Sequence, residues 1–174
     1  FPGLLANEVG AITHAFEQVW AENGGGHFGQ THDEKRRSAL IQFIDQNEYL
    51  STLIDDERID GIASSVLGDD YNYSGSDGNY YVGDTQWHGG AGEPQVLQHI
   101  KVAIYPDPVA RETGSLRVIP GSHIAEYQKK LTAQREQFDD PSKQPFGVPG
   151  AEVPAVALES QPGDMVFFSE NIWH

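Results

Sequence analysis

Cysteine is absent from this 174-residue chain. Disulfides, thiolate metal sites and cysteine nucleophiles are excluded together, and the absence fits a cytoplasmic protein. Basic residues are scarce: 11 Lys and Arg stand against 26 Asp and Glu, a formal net charge of −15. Non-specific nucleic-acid binding needs clustered Lys and Arg and is excluded; Lys35-Arg36-Arg37 is too short to form such a patch. The acidity itself reads as solubility or as adaptation to a salty habitat. Long apolar runs are missing as well. No stretch approaches the ~18 apolar residues of a membrane span, and residues 1–6 lack the basic-then-apolar order of a signal peptide. Internal repeats and low-complexity tracts are also lacking. The chain starts without Met and stops at His174, just after a strand-like run, so both ends are expected to be cut from a longer domain.

What is present divides into a helical part and a strand-rich part, which the sequence predicts as one domain over 1–174. Residues 7–22 read as a helix, with Val9, Ile12, Phe16, Val19 and Trp20 on one stripe, Asn7 as N-cap and Gly24-Gly25-Gly26 as the stop. Residues 24–37 read as a polar loop. Residues 47–54 and 56–67 read as two short helices, the second capped by Asp56 and closed by Gly68. Tyr71-Asn72-Tyr73 and Tyr80-Tyr81-Val82 flank Ser76-Asp77-Gly78-Asn79, a strand–turn–strand pattern with Asp-Gly at the turn. Residues 97–105 form the clearest strand, in which Ile100, Val102 and Ile104 alternate with His99, Lys101, Ala103 and Tyr105. Further strands are expected at 115–119, 156–159 and 165–168, with a helical insertion over about 123–138 and a Pro/Gly loop over 141–154. Helices followed by short strands with Pro/Gly turns predict a mainly β barrel or jelly roll: a helical N-terminal layer over 1–68 and a partial barrel over 69–174, truncated at its C-terminus.

Two histidines, 86 residues apart, each end a strand-like run: His88 in Gly83-Asp84-Thr85-Gln86-Trp87-His88-Gly89-Gly90, and His174 after Pro162-Gly163-Asp164-Met165-Val166-Phe167-Phe168. Neutral imidazole suits divalent iron, and oxygenases pair two histidines with one carboxylate on a single face, leaving positions for co-substrate and oxygen. The carboxylate expected two residues after the first histidine is replaced by Gly90. Of the other histidines, His14, His27, His32 and His123 read as structural or solvated, and His99 shares a strand face with Lys101. Trp87 and Trp173 adjoin the histidines and are equally explained by core packing. Gly89, Gly90 and Gly92 are also read as a simple tight turn.

In this order and spacing, the segment 75–88, then Tyr105-Pro106-Asp107-Pro108-Val109, then Thr113-Gly114-Ser115-Leu116-Arg117-Val118-Ile119-Pro120-Gly121-Ser122-His123, and the block 162–174 resemble the phytanoyl-CoA dioxygenase family of Fe(II)/2-oxoglutarate oxygenases. The resemblance covers residues 70–174 most distinctly. It implies a double-stranded β-helix (cupin-like jelly roll), with His88 and His174 as iron ligands. Thr85 is similar to a position that contacts 2-oxoglutarate, Trp87 would wall the pocket, and Lys101 and Arg117 are candidates for carboxylate contacts. The family's arginine for the far carboxylate of 2-oxoglutarate would follow the distal histidine, beyond the last residue given.

Gly90 sharpens the expectation. Loss of the acid takes one ligand and one negative charge from the metal, and a halide replaces both. His-x-Gly in place of His-x-Asp is similar to the Fe(II)/2-oxoglutarate halogenases, in which a substrate carbon radical collects halogen rather than hydroxyl. Chloride beside Gly90 is the implied third ligand, and the substrate is a small molecule with an unactivated C–H bond. Three other readings stay open: a substitute carboxylate such as Glu93, hydroxylation with only two histidines, or a degenerate barrel that binds a small molecule without turnover. Asp84 lies about 13 Å from His88 along an extended strand and is expected not to share the metal.

Overall fold

An apolar stripe and a run of aromatic rings build the first part of the fold. The computed structural model describes residues 1–27, 30–31, 37–82, 85–89, 98–135, 144, 148 and 152–174. They fall into two compact units: Phe1–Gly83 with Tyr105–Asp107 and Gln161–Asp164, and Asp84–Ile104 with Pro108–Ser160 and Met165–His174.

In the first unit, α1 (Val9–Glu22) buries Ile12, Ala15 and Val19. It begins two residues later than its pattern predicts. Glu8 occupies the N-cap position without a side-chain bond, so Asn7 does not cap it. The short strands β1 (Gly26–His27) and β2 (Gln30–Thr31) pair antiparallel within what reads as a loop. Next come β3 (Ser38–Ile41), α2 (Glu48–Ser51) and α3 (Glu57–Leu67). The caps of both helices follow the sequence: the Asn47 side chain accepts from Leu50 N, and Asp56 accepts from Arg58 N. Arg58 also donates to both Asp56 oxygens (2.9 and 2.7 Å), to Leu4 O (2.8 Å) and to Glu8 (3.0 Å), tying α3 to the chain start. This bonding lowers the Asp56 pKa, the Arg58 side-chain bond contributing most.

The expected 71–82 hairpin does not form. Asp77, Gly78 and Asn79, placed in its turn, instead form with Tyr80 a strand, β4 (Asp77–Tyr80), pairing antiparallel with β3 from Ser38↔Tyr80 to Ile41↔Asp77. Gly78 marks a close approach rather than a turn: a methyl there would overlap the Phe16 ring and lie 3.1 Å from Phe43. Phe16 meets Phe43 edge-on at 5.6 Å, and Trp20 meets Tyr80 edge-on at 4.7 Å. The Tyr80 hydroxyl bonds Glu17, and burial, then that carboxylate, raise its pKa. The Pro-Gly-Asp turn has a packing role in the same unit. At Gly163 (φ +88) a Cβ would lie 2.5 Å from the Ala6 backbone, and Leu5 N donates to Gly163 O. Asp164 accepts from Gly3 N (2.6 Å) and Gln161 N (2.8 Å), which lowers its pKa.

In the second unit, β5 (Ile100–Tyr105) lies beside β8 (Asp164–Ser169), and β6 (Leu116–Val118) pairs antiparallel with β7 (Val156–Leu158). Helix α4 (Ala125–Thr132) is the inserted helix; the expected residues 136–138 lie outside the described ones. Trp87, Leu131, Val153 and Trp173 form the core, with Ile119, Val148 and Ala155 packed on it. The expectation of a mainly β double-stranded β-helix is met only in part: small helices accompany short antiparallel sheets, and the described strands pair two by two in four sheets that form no clear jelly roll. No helix among the described residues is long and apolar enough to cross a membrane.

Candidate functional site

Each of the two separated histidines follows a buried tryptophan. Trp87 is 7% exposed and Trp173 1%, and both belong to the core of the second unit, so the residue after each is carried to that core's edge. There the backbones meet: His88 N donates to His174 O (3.0 Å) and His174 N donates to His88 O (2.8 Å). This reciprocal pair is the unit of an antiparallel ladder. The imidazoles lie with centroids 4.2 Å apart and planes at 51°.

Both rings are held in the same way. His88 Nδ1 lies 2.9 Å from the Gln86 carbonyl, and His174 Nδ1 lies 2.8 Å from the Ile172 carbonyl, two residues back in each case. A carbonyl only accepts, so each Nδ1 carries a proton and Nε2 is the ring atom turned toward a metal. Neither Nε2 has a hydrogen-bond partner among the described residues. Burial, the largest cause, pushes the His174 pKa down to about 4; His88 and Lys101 push the same way, while the Ile172 bond and Glu170 oppose them. His174 is therefore neutral at pH 7. Two imidazoles, each oriented by an outer carbonyl and with an Nε2 unpartnered among the described residues, fit a divalent transition ion such as Fe(II). Among the described residues no group of three His, Cys, Asp or Glu side chains is gathered. Gly90, Glu93 and Asp84 lie outside the described residues.

The remaining candidates separate by their surroundings. Arg117, on β6, holds its guanidinium 5.1 Å over the Trp87 ring and donates to Val153 O (3.0 Å). Lys101, on β5, acts electrostatically on His174 and has no ion pair or hydrogen bond among the described residues. Thr85 is exposed. His99 pairs through Nδ1 with Glu170 (3.2 Å), whose own N–H donates to His99 O (3.1 Å). His14 is exposed beside Gln18, His123 is exposed, and His32 lies outside the described residues.

Sequence reasoning missed three neighbours. Phe168 stands edge-on to His174 at 5.0 Å. Glu170 is near enough to raise the His174 pKa. Gly89 lies against the Trp173 indole. The repeated Trp-His dipeptide was the available signal for the last of these, since two equivalent dipeptides sharing one core place their flanks together.

Neither a curated protein nor a solved structure matches the chain. The family model for phytanoyl-CoA dioxygenase matches residues 2–174, so that both histidines and the helices ahead of them fall within one match. The chain therefore belongs to the phytanoyl-CoA dioxygenase family, whose members are Fe(II)/2-oxoglutarate-dependent dioxygenases.

Proposed function

We propose that this protein is a non-haem Fe(II)/2-oxoglutarate-dependent oxygenase acting on an aliphatic C–H bond of a small molecule, with His88 and His174 as its imidazole ligands. The observation that carries this reading is the pair of rings 4.2 Å apart, each with Nδ1 on a carbonyl and Nε2 unpartnered among the described residues. When bound, Fe(II) with 2-oxoglutarate and oxygen supplies the hydrogen-abstracting chemistry. The chain's own residues bind and orient. The Gln86 and Ile172 carbonyls hold each proton on Nδ1, and burial keeps His174 uncharged. Lys101, with no ion pair or hydrogen bond among the described residues and within electrostatic reach of His174, is assigned to a carboxylate contact with 2-oxoglutarate. Arg117 is less suited because Trp87 and Val153 already occupy its guanidinium. Thr85 and Trp87 are assigned to the co-substrate pocket by family resemblance.

Halogenation is the finer reading, and it rests on Gly90. A glycine where the acid is expected leaves a ligand position and a charge for chloride to fill. Hydroxylation is the second reading.

Anaerobic calorimetry with Fe(II) tests the ligand assignment. The wild type should bind, and His88→Ala and His174→Ala should each abolish binding. Unchanged affinity in both variants overturns the oxygenase reading in favour of a binding protein without metal. For the halide, chloride should shift the charge-transfer absorption of the Fe(II)–2-oxoglutarate complex in the wild type and not in Gly90→Asp. An equal shift in both removes chloride from the Gly90 position.

A further inference from the structure

We propose that Gly89 is a positioning residue for the histidine pair: by taking the Trp173 indole against its bare Cα, it sets the separation at which the two imidazoles converge on one ion. This rests on His88 and His174 being the ligands, and it goes further by naming what fixes their spacing.

The two histidine segments are joined by the reciprocal bonds of His88 and His174. One such pair does not by itself stop two segments from twisting about each other. The next contact along is Gly89 with Trp173. A Cβ on Gly89 would lie 2.6 Å from Trp173 Cδ1, 2.7 Å from Nε1 and 3.0 Å from Cγ. No side chain fits at those distances, so the indole rests on the glycine backbone itself.

The indole has nowhere to retreat. Trp173 is 1% exposed and packs with Trp87, Leu131 and Val153. Its backbone is held on both sides: its N–H donates to the buried Ser122 hydroxyl (2.8 Å), and its carbonyl accepts from Ile119 N (2.9 Å). The Gln128 side chain donates to the Asn171 carbonyl just upstream. A methyl on Gly89 therefore has to displace either Trp173 with His174 attached or the 88–89 backbone. Both routes move one imidazole relative to the other.

The test uses the full chain, stripped of metal, with Co(II) titration for affinity, Cu(II) pulsed EPR to count bound imidazoles, and circular dichroism for folding. The wild type should show two imidazoles. Gly89→Ala should stay folded, lose roughly 10–100-fold in Co(II) affinity, as displaced supports of metal ligands do, and show one imidazole. Ser122→Ala, which withdraws the Trp173 N–H acceptor without adding bulk, should weaken Co(II) binding in the same direction by less. Gly61→Ala, whose added methyl meets nothing within 4 Å, should bind like the wild type. A wild type with fewer than two imidazoles overturns the ligand assignment itself. A two-imidazole wild type together with a folded Gly89→Ala of unchanged affinity and imidazole count overturns the positioning role alone. If Gly89→Ala does not fold, an unchanged affinity in Ser122→Ala overturns it. An equal loss in Gly61→Ala does the same, by making the effect general to glycine substitution.

Discussion

The two compact units bury comparable kinds of residue for different ends. In the first, packed rings and paired charges close on one another: Phe16 and Trp20 against Phe43 and Tyr80, Arg58 against Asp56 and Glu8, Asp164 against Gly3 and Gln161. In the second, the buried tryptophans end directly in two imidazoles whose Nε2 atoms have no partner among the described residues. The difference teaches that a packing error costs only stability in one unit, whereas in the other it also moves donor atoms.

The largest expected effect breaks the two apart. Trp173→Ala and Leu50→Ala each empty a fully buried site, one per unit. Each should destabilise the protein, by about 3–5 and 2–5 kcal/mol respectively, read from chemical denaturation. Well below the melting temperature, only Trp173→Ala should lose Co(II) affinity. Equal losses would show that the site depends on global stability rather than on the second unit's core.

Overpacking is the next largest. Gly78→Ala drives a methyl into the Phe16 ring and should destabilise by about 1–3 kcal/mol, with metal affinity unchanged. A neutral result would mean that the aromatic stack yields more easily than its burial implies.

Acid gives the smallest effect. Asp56 and Asp164 both titrate below the ordinary aspartate value of 3.8. A depressed folded pKa means that their contribution is present above 3.8 and is lost as pH falls through the folded values. Melting temperature should drop below that pH, and less steeply in Asp56→Asn and Asp164→Asn. Parallel curves for wild type and variants would remove both carboxylates from acid stability.

Local chemistry was readable where it acts locally. Asn47 and Asp56 cap the helices that follow them because a cap bond spans only two or three residues. The α1 start was displaced because Asn7 makes no such bond. Asp77-Gly78 has the composition of a hairpin turn, yet Gly78 sits mid-strand, where the Phe16 ring of α1, 62 residues earlier in sequence, occupies the space of a side chain. Strand β3 went unread because its partner lies far along the chain. The pairing of the strands was not legible for a related reason: alternation marks a strand and does not say which strand pairs with it.

The sequence alone settled the chemical vocabulary. It excluded thiolates, supplied two Trp-His dipeptides at the ends of strand-like runs, replaced an expected acid with glycine, and carried motifs in the order of one family. Those properties reside in residue types and short spacings. Only the tertiary structure brought the two imidazoles to 4.2 Å, turned both Nδ1 atoms onto carbonyls, and gave Gly89 its indole. Such contacts join residues far apart along the chain, and close packing of a shared core, rather than any local preference, decides which of them meet.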